Sequence, residues 1–360
     1  MSVAYDHKPA LIVAVQRKEF KSATLLLETN ADVNAVDNNG STALMFAVLV
    51  GDFKITRMLI KKNADVNARN NDGATALSTA AISGHVKIAH MLIETNADVN
   101  AVDKDGTTAL MAAALSGQDQ TAAMLIKRNA DVDALDSNGL TPLMWTAILG
   151  HVKIAAMLIA KNAYVNAEDY DGTTALMHAA NFGHSKVIAM LLDAKADANA
   201  EDYSGITALM LAVHDGYGDA VTMLLENNAD IDAIAADGST AISTATEQGH
   251  TTILAMLRTA RTKSEATKTK RDKRKARRIR KAKAKINTAI SACSQEPTPP
   301  PLPEPSDKGL CIVCMDKDIS HMCYPCGHMC FCKSCAPHFD GGPCPTCRTQ
   351  VVHTMPFFQV

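Results

Sequence analysis

The chain has 360 residues, 47% of them hydrophobic but only 4% aromatic, with a single Trp. That is enough apolar material for two or three domains, and a core built from Ala, Leu and Met suits stacked short helices better than a β-sandwich. The net charge of −2 excludes little by itself, because it conceals two opposed blocks: residues 1–257 hold 17 Lys and Arg against 30 Asp and Glu, while residues 258–285 hold 15 against Glu265 and Asp272. Blocks of opposite sign call for separate readings.

No apolar run approaches the ~18–20 residues that a helical membrane span requires. The first ten residues lack the basic-then-apolar pattern of a secretory leader. All ten cysteines fall between Cys293 and Cys347. A secreted disulfide protein would spread them more widely, so the cluster points to metal. The expectation is a soluble intracellular protein with no membrane span.

The first predicted elements come from an internal repeat. Asn-Ala-Asp-Val-Asn begins at Asn30, Asn63 and Asn96, and variants begin at Asn129, Asn162, Lys195 and Asn228, each step being 33 residues. A turn glycine keeps the same period from Gly40 to Gly238, followed by Thr-Ala-Leu or a variant, and a second glycine runs from Gly51 to Gly249. Asp-x-x-Gly or Asn-x-x-Gly makes a turn, and the threonine stands where its hydroxyl can cap a new helix. Two short helices follow, joined at the second glycine. Their apolar sets, such as Leu110, Ala113 and Ala114, then Ala122, Leu125 and Ile126, recur at helical spacing. One such unit cannot bury its apolar face alone, so neighbours must stack.

Over about residues 4–260 this pattern resembles the ankyrin family. Residues 4–35 and 234–260 read as atypical capping units, and residues 1–260 as the whole array. One departure is systematic. The family's Thr-Pro-Leu-His becomes Thr-Ala-Leu-Met or a relative; Thr141-Pro142-Leu143-Met144 alone keeps the proline and no copy keeps the histidine. Met packing should replace the lost histidine hydrogen bonds. The resemblance implies an all-α solenoid of helix pairs with β-hairpin loops, which binds proteins and carries no chemistry. The substrate groove is expected along Leu49, Val50, Ile82, Leu115, Ile148, Leu149 and Phe182, with Tyr170 and Tyr203 at hairpin tips. An apolar row beside many acids would suit an amphipathic or basic partner segment. The plainer alternative is that several of these side chains pack against the next repeat. His85, His151, His184 and His250, each directly after a second glycine, are expected to be structural.

Residues 261–290 form a basic, helical or disordered segment, densest from Lys268 to Lys285. A nuclear import signal and a solvated spacer are both open readings, so the location is expected to be cytoplasmic, nuclear or both. Without aromatic residues to stack on bases, nucleic-acid binding has weak support. Six prolines within residues 291–309 favour extended polyproline II and mark a linker.

The C-terminal cysteines come in ordered pairs: Cys311 and Cys314, Cys326 and His328, Cys332 and Cys335, then Cys344 and Cys347. Eight N and S donors match two tetrahedral Zn²⁺ sites, and ligation would supply much of the folding energy of so short a segment. Cys323 and Cys330 are left over, and Cys323-x-x-Cys326 keeps an alternative ligand set open.

This order resembles the RING finger. Pro325-Cys326-Gly327-His328 and Cys332-Lys333-Ser334-Cys335-Ala336 bring it near the C-terminal RINGs of the inhibitor-of-apoptosis and mind bomb families. The resemblance implies a small zinc-stabilised α+β domain over 310–350 with an extension over 351–360. It assigns Cys311, Cys314, Cys332 and Cys335 to one zinc, and Cys326, His328, Cys344 and Cys347 to the other. It also implies a RING-type ubiquitin ligase without a covalent nucleophile. Ile312 and Pro345 would contact a ubiquitin-conjugating enzyme, and Arg348 would bridge that enzyme and ubiquitin. Phe358 would serve a RING homodimer or reach donor ubiquitin, unless Phe357 and Phe358 only cover the domain's own core. The competing expectation is a non-catalytic scaffold.

Overall fold

The computed structural model describes residues 8–263 and, further along, the segments 321–324, 329–331 and 353–356. Two compact units divide the chain, 1–274 and 275–360.

In the first unit, helices alternate between an inner and an outer layer. The inner ones are α1 (Ala10–Gln16), α3 (Ala43–Leu49), α5 (Ala76–Ser83), α7 (Ala109–Leu115), α9 (Pro142–Leu149), α11 (Ala175–Asn181), α13 (Ala208–His214) and α15 (Ala241–Glu247). Their outer partners are α2 (Phe20–Glu28), α4 (Phe53–Lys61), α6 (Val86–Glu94), α8 (Asp119–Lys127), α10 (Val152–Ala160), α12 (Ser185–Asp193), α14 (Gly218–Glu226) and α16, helical over 251–263. Inner helices pack on inner helices and outer on outer.

The threonine of each Thr-Ala-Leu or its variant starts an inner helix as expected. Thr141 Oγ1 accepts the Met144 amide at 3.2 Å, which satisfies one of the exposed amides of the first turn. The cap is reciprocal in three repeats, where the methionine sulfur accepts the threonine amide: Met111, Met144 and Met177 do so at 3.4–3.5 Å. Ser78 and Ser243 do the same with oxygen, at 2.9 and 2.8 Å. Met111, Met144 and Met177 are also buried. Methionine thus packs where the family keeps histidine and completes a capping box as well.

Gly150 shows why the second glycine recurs. It closes α9 at φ 74°, and a Cβ there would lie 2.6 Å from the ring of His184 in the next repeat. His184 Nε2 donates to the Ile148 carbonyl at 3.0 Å, and His250 Nε2 to the His214 carbonyl at 3.1 Å. His85 and His151 lie beneath Gly51 and Gly117 in the same way. These histidines are struts between repeats. Among the described residues no group of three or more His, Cys, Asp or Glu could hold a metal ion.

Asn-Ala-Asp-Val-Asn is equally mechanical. Its first Asn adopts positive φ, 60° at Asn129 for example, which Asn tolerates better than most residues. Its Asp accepts the amide two residues on, as Asp98 does from Asn100 at 3.0 Å. Its last Asn reaches the next repeat: Asn67 Oδ1 accepts the Asp98 amide at 2.8 Å. Beneath these turns lies a continuous core in which Leu110, Ala113, Ala114, Ala122 and Leu125 are fully buried. Each buried Leu contributes about 1.5–3 kcal/mol, and stability accrues from neighbour interfaces more than from any one repeat.

In the second unit, β1 (His321–Tyr324) is central between β2 (Met329–Phe331) and β3 (His353–Pro356), all antiparallel, in the order β2-β1-β3. The register between β1 and β2 shifts at His321 and Met322, leaving Cys330 between the paired positions Met329 and Phe331. Cys323 pairs in register with Thr354 of β3. The third strand is therefore supplied by residues that follow the last cysteine.

Candidate functional site

The hairpins and inner helices build one face of the array. Successive hairpin tips are joined by main-chain bonds: Lys104 N to Asp72 O at 2.8 Å, Ser137 N to Asp105 O at 2.7 Å, Tyr170 N to Asn138 O at 3.2 Å and Tyr203 N to Asp171 O at 3.1 Å. Each tip is folded by a carboxylate or amide at its base. Asp136 Oδ1 accepts the amides of Asn138 and Leu140, and Asp169 Oδ1 those of Asp171 and Thr173.

The second oxygen of these two carboxylates ties the hairpin to its inner helix. Asp136 Oδ2 accepts Trp145 Nε1 at 3.0 Å, and Asp169 Oδ2 accepts His178 Nε2 at 2.9 Å. An indole and an imidazole thereby line the angle between hairpin and helix at equivalent places in adjacent repeats. Burial pulls the His178 imidazole below its ordinary value, with the Asp169 hydrogen bond and charge pulling the other way. The ring is neutral near pH 7, with its proton on Nε2, since a carboxylate can only accept.

The expected groove residues divide on exposure. Leu49, Ile82, Leu115, Leu149 and Phe182 are exposed, between 40 and 55%. Val50 is half-buried, and Ile148 is half-buried against the core. The packing alternative therefore fits Ile148. Tyr170 and Tyr203 project furthest, at 64 and 75% exposed. Trp145 and His178 were not among the sequence candidates. Their signal was present as an Asp nine residues earlier in each case, at the base of the turn. Exposed Val36, Val102, Leu135 and Ile234, which recur on the same 33-residue period, were also passed over.

The eight expected metal donors, Cys311, Cys314, Cys326, His328, Cys332, Cys335, Cys344 and Cys347, lie outside the described residues, as do Ile312, Pro345, Arg348 and Phe358. The paired strands β1 and β2 flank Cys326 and His328 in sequence, and Cys332 follows β2 directly. Thiolates and imidazole are the donors zinc prefers, and three Cys-x-x-Cys pairs with one Cys-x-His supply them at zinc-finger spacing. Among the described residues no helix is long and apolar enough to cross a membrane.

Comparison with known proteins agrees with both units. A family model for ankyrin repeats matches residues 3–70, 67–136, 129–202 and 195–272. One for the zinc finger of C3HC4 type, the RING finger, matches residues 307–354. Among curated proteins, the chain is 44% identical over 45 residues to Baculoviral IAP repeat-containing protein 7-B of Xenopus laevis, which is 12% of each chain. It is 42% identical over 52 residues to Baculoviral IAP repeat-containing protein 3 of Homo sapiens, covering 14% of this chain and 8% of that one. It is 38% identical over 42 residues to E3 ubiquitin-protein ligase SP1 of Arabidopsis thaliana, 12% of each. The match therefore spans only about an eighth or less of each of these relatives. Since the ankyrin model alone matches most of its length, the chain belongs to the ankyrin-repeat family, and it carries a zinc-binding RING finger toward its C-terminal end.

Proposed function

We propose that this protein is a RING-type ubiquitin ligase whose ankyrin array holds the substrate protein. The observation that carries the reading is the RING match over 307–354, in which all eight metal donors are present. The likeness to a protein named as a ubiquitin ligase supports it. Two zinc ions, bound by the interleaved donor sets, would hold the domain in its folded shape.

In this reading no residue attacks the substrate. Ile312 and Pro345 grip a ubiquitin-conjugating enzyme, and Arg348 hydrogen-bonds across it to ubiquitin, so the thioester is held where a lysine amine can reach it. Such catalysis is one of positioning. Phe358 extends the contact to donor ubiquitin or to a second RING. The array delivers the lysine by binding its owner along the exposed row from Leu49 to Phe182 and at Tyr170 and Tyr203.

The test is ubiquitination by the purified full chain with a panel of conjugating enzymes. Ubiquitin chains should form with at least one of them. Ile312→Ala and Arg348→Ala should each lower the rate at least tenfold while zinc content is unchanged. Silence with every conjugating enzyme would favour the scaffold reading instead.

A further inference from the structure

The hairpin-and-helix face is not uniform along the array. Residues 8–161 hold 15 Lys and Arg and 15 Asp and Glu, most of those cations on or beside the outer helices and only Arg69 and Lys104 in hairpins, whereas residues 162–257 hold two, Lys186 and Lys195, against 14. Lys186 lies on outer helix α12 and Lys195 in the turn that follows it, so neither belongs to a hairpin or an inner helix.

The change is sharp at equivalent positions. The place held by exposed Val36, Val102 and Leu135 passes to exposed Glu168 and Glu201. The place held by exposed Leu49, Ile82 and Leu115 passes to His214 and Glu247, and that of Leu149 passes by way of Phe182 to Asp215. Tyr170 and Tyr203 join the acidic stretch at the tips, each two residues from one of the glutamates. Arg69, Ser83 and Ser116 interrupt the apolar half and Asn181 and Ile234 the acidic half, but the gradient survives them.

We propose that this face takes a single polypeptide segment of mixed character. Its apolar end seats across α3 to α9, and its Lys- or Arg-rich end lies over Tyr170, Tyr203, Glu168 and Glu201. The inference rests on the reading of this face as the ligase's substrate side, and adds which chemistry the substrate must present and how it is polarised. Exposed aliphatic side chains reward apolar burial. A phenol ring beside a carboxylate rewards a cation, through its π face and by charge together. With helices packed about 8–10 Å apart, the seven hairpins span roughly 50–60 Å, which an extended segment of about 17 residues covers at ~3.3 Å each.

The experiment uses the full chain and three fluorescent 20-residue peptides: one half Leu/Ile-rich and half Arg/Lys-rich, one only apolar and polar-neutral, one only basic and polar-neutral. Binding is followed by anisotropy at low and high salt. The mixed peptide should bind at least tenfold more tightly than either other. Glu168→Gln combined with Glu201→Gln should weaken it about tenfold and flatten its salt dependence. Leu49→Ser combined with Leu115→Ser should weaken it similarly and leave the salt dependence intact. Asp72→Asn combined with Asp105→Asn, at hairpin tips beside the apolar end, should change little.

Equal losses from the two acidic pairs, or a basic peptide that matches the mixed one, would overturn the polarity while leaving the face as a binding site. Indifference of every peptide to all these substitutions would instead remove the face as the site, and the substrate reading with it. Self-association lost in the Glu168→Gln, Glu201→Gln variant would assign the face to a second copy. Peptide binding seen only after deletion of 268–285 would assign it to the chain's own basic segment. Either result overturns the proposal.

Discussion

His178 Nε2 lies 2.9 Å from Asp169 Oδ2, and one repeat earlier Trp145 Nε1 lies 3.0 Å from Asp136 Oδ2. Two different aromatic donors thus satisfy the same buried carboxylate oxygen at places 33 residues apart. The difference between them is that only the imidazole titrates near neutrality.

Because burial lowers the His178 value below its ordinary 6.5, the unfolded chain takes up a proton there before the folded one does. The stability due to this group is complete above pH 6.5 and declines as the pH falls below it. His178→Trp, which copies the neighbouring repeat, should keep the hydrogen bond and reduce the loss of stability between pH 7.5 and 5. His178→Ala should cost about 1 kcal/mol at pH 7.5 by leaving a carboxylate oxygen unpaired. Urea midpoints at the two pH values measure both effects, and an unchanged pH slope in His178→Trp would count against them.

Lys195 stands at φ 69° where six other repeats place Asn at 60–67°. A lysine gains nothing from that conformation, which non-glycine residues other than Asn and Asp avoid. Lys195→Asn should stabilise the array by about 0.5–1 kcal/mol, and Asn162→Lys should destabilise it by a similar amount. Thermal or urea unfolding decides the sign in each case.

Thr121 on α8 is fully buried, and its hydroxyl has no hydrogen-bond partner among the described residues. The equivalent places hold Ile88, Ile154 and Val187. Thr121→Val keeps the shape and removes the unpaired oxygen, so it should stabilise by about 1–2 kcal/mol. A loss of stability on equilibrium unfolding would mean that the hydroxyl is satisfied in solution.

Much of this architecture was legible in the sequence because each recurring residue has a local job that spacing reveals. Thr141 reads as a cap, Gly139 as a turn residue, Leu125 as core. The strut role of His184 was legible only as structural, since its partner, the Ile148 carbonyl, lies 36 residues away and belongs to another repeat. Trp145 and His178 were missed for the opposite reason. Their partners are only nine residues distant, but a bond between a turn and the middle of a helix follows no helical or strand period. Ile148 stands at the same repeat position as exposed Leu49, Ile82 and Leu115 but is half-buried against the core, a difference of local packing that the 33-residue period does not reveal.

Metal removal should separate the two units. Elemental analysis of the full chain should find two zincs, and a strong chelator should remove them. Helical circular dichroism, which comes mainly from the array, should then hold nearly constant while ubiquitin transfer stops. Collapse of the helical signal together with zinc loss would show that the array depends on the metal, contrary to the self-contained core of the array described above.

The most direct test of the ligase assignment is single-turnover discharge. A conjugating enzyme is loaded with ubiquitin, separated from its activating enzyme, and mixed with free lysine in the presence or absence of the full chain. Discharge should run at least tenfold faster with the chain, and Arg348→Ala should abolish that acceleration at full zinc occupancy. Discharge at the unassisted rate by zinc-loaded chain, across conjugating enzymes that respond to other RING proteins, would contradict it.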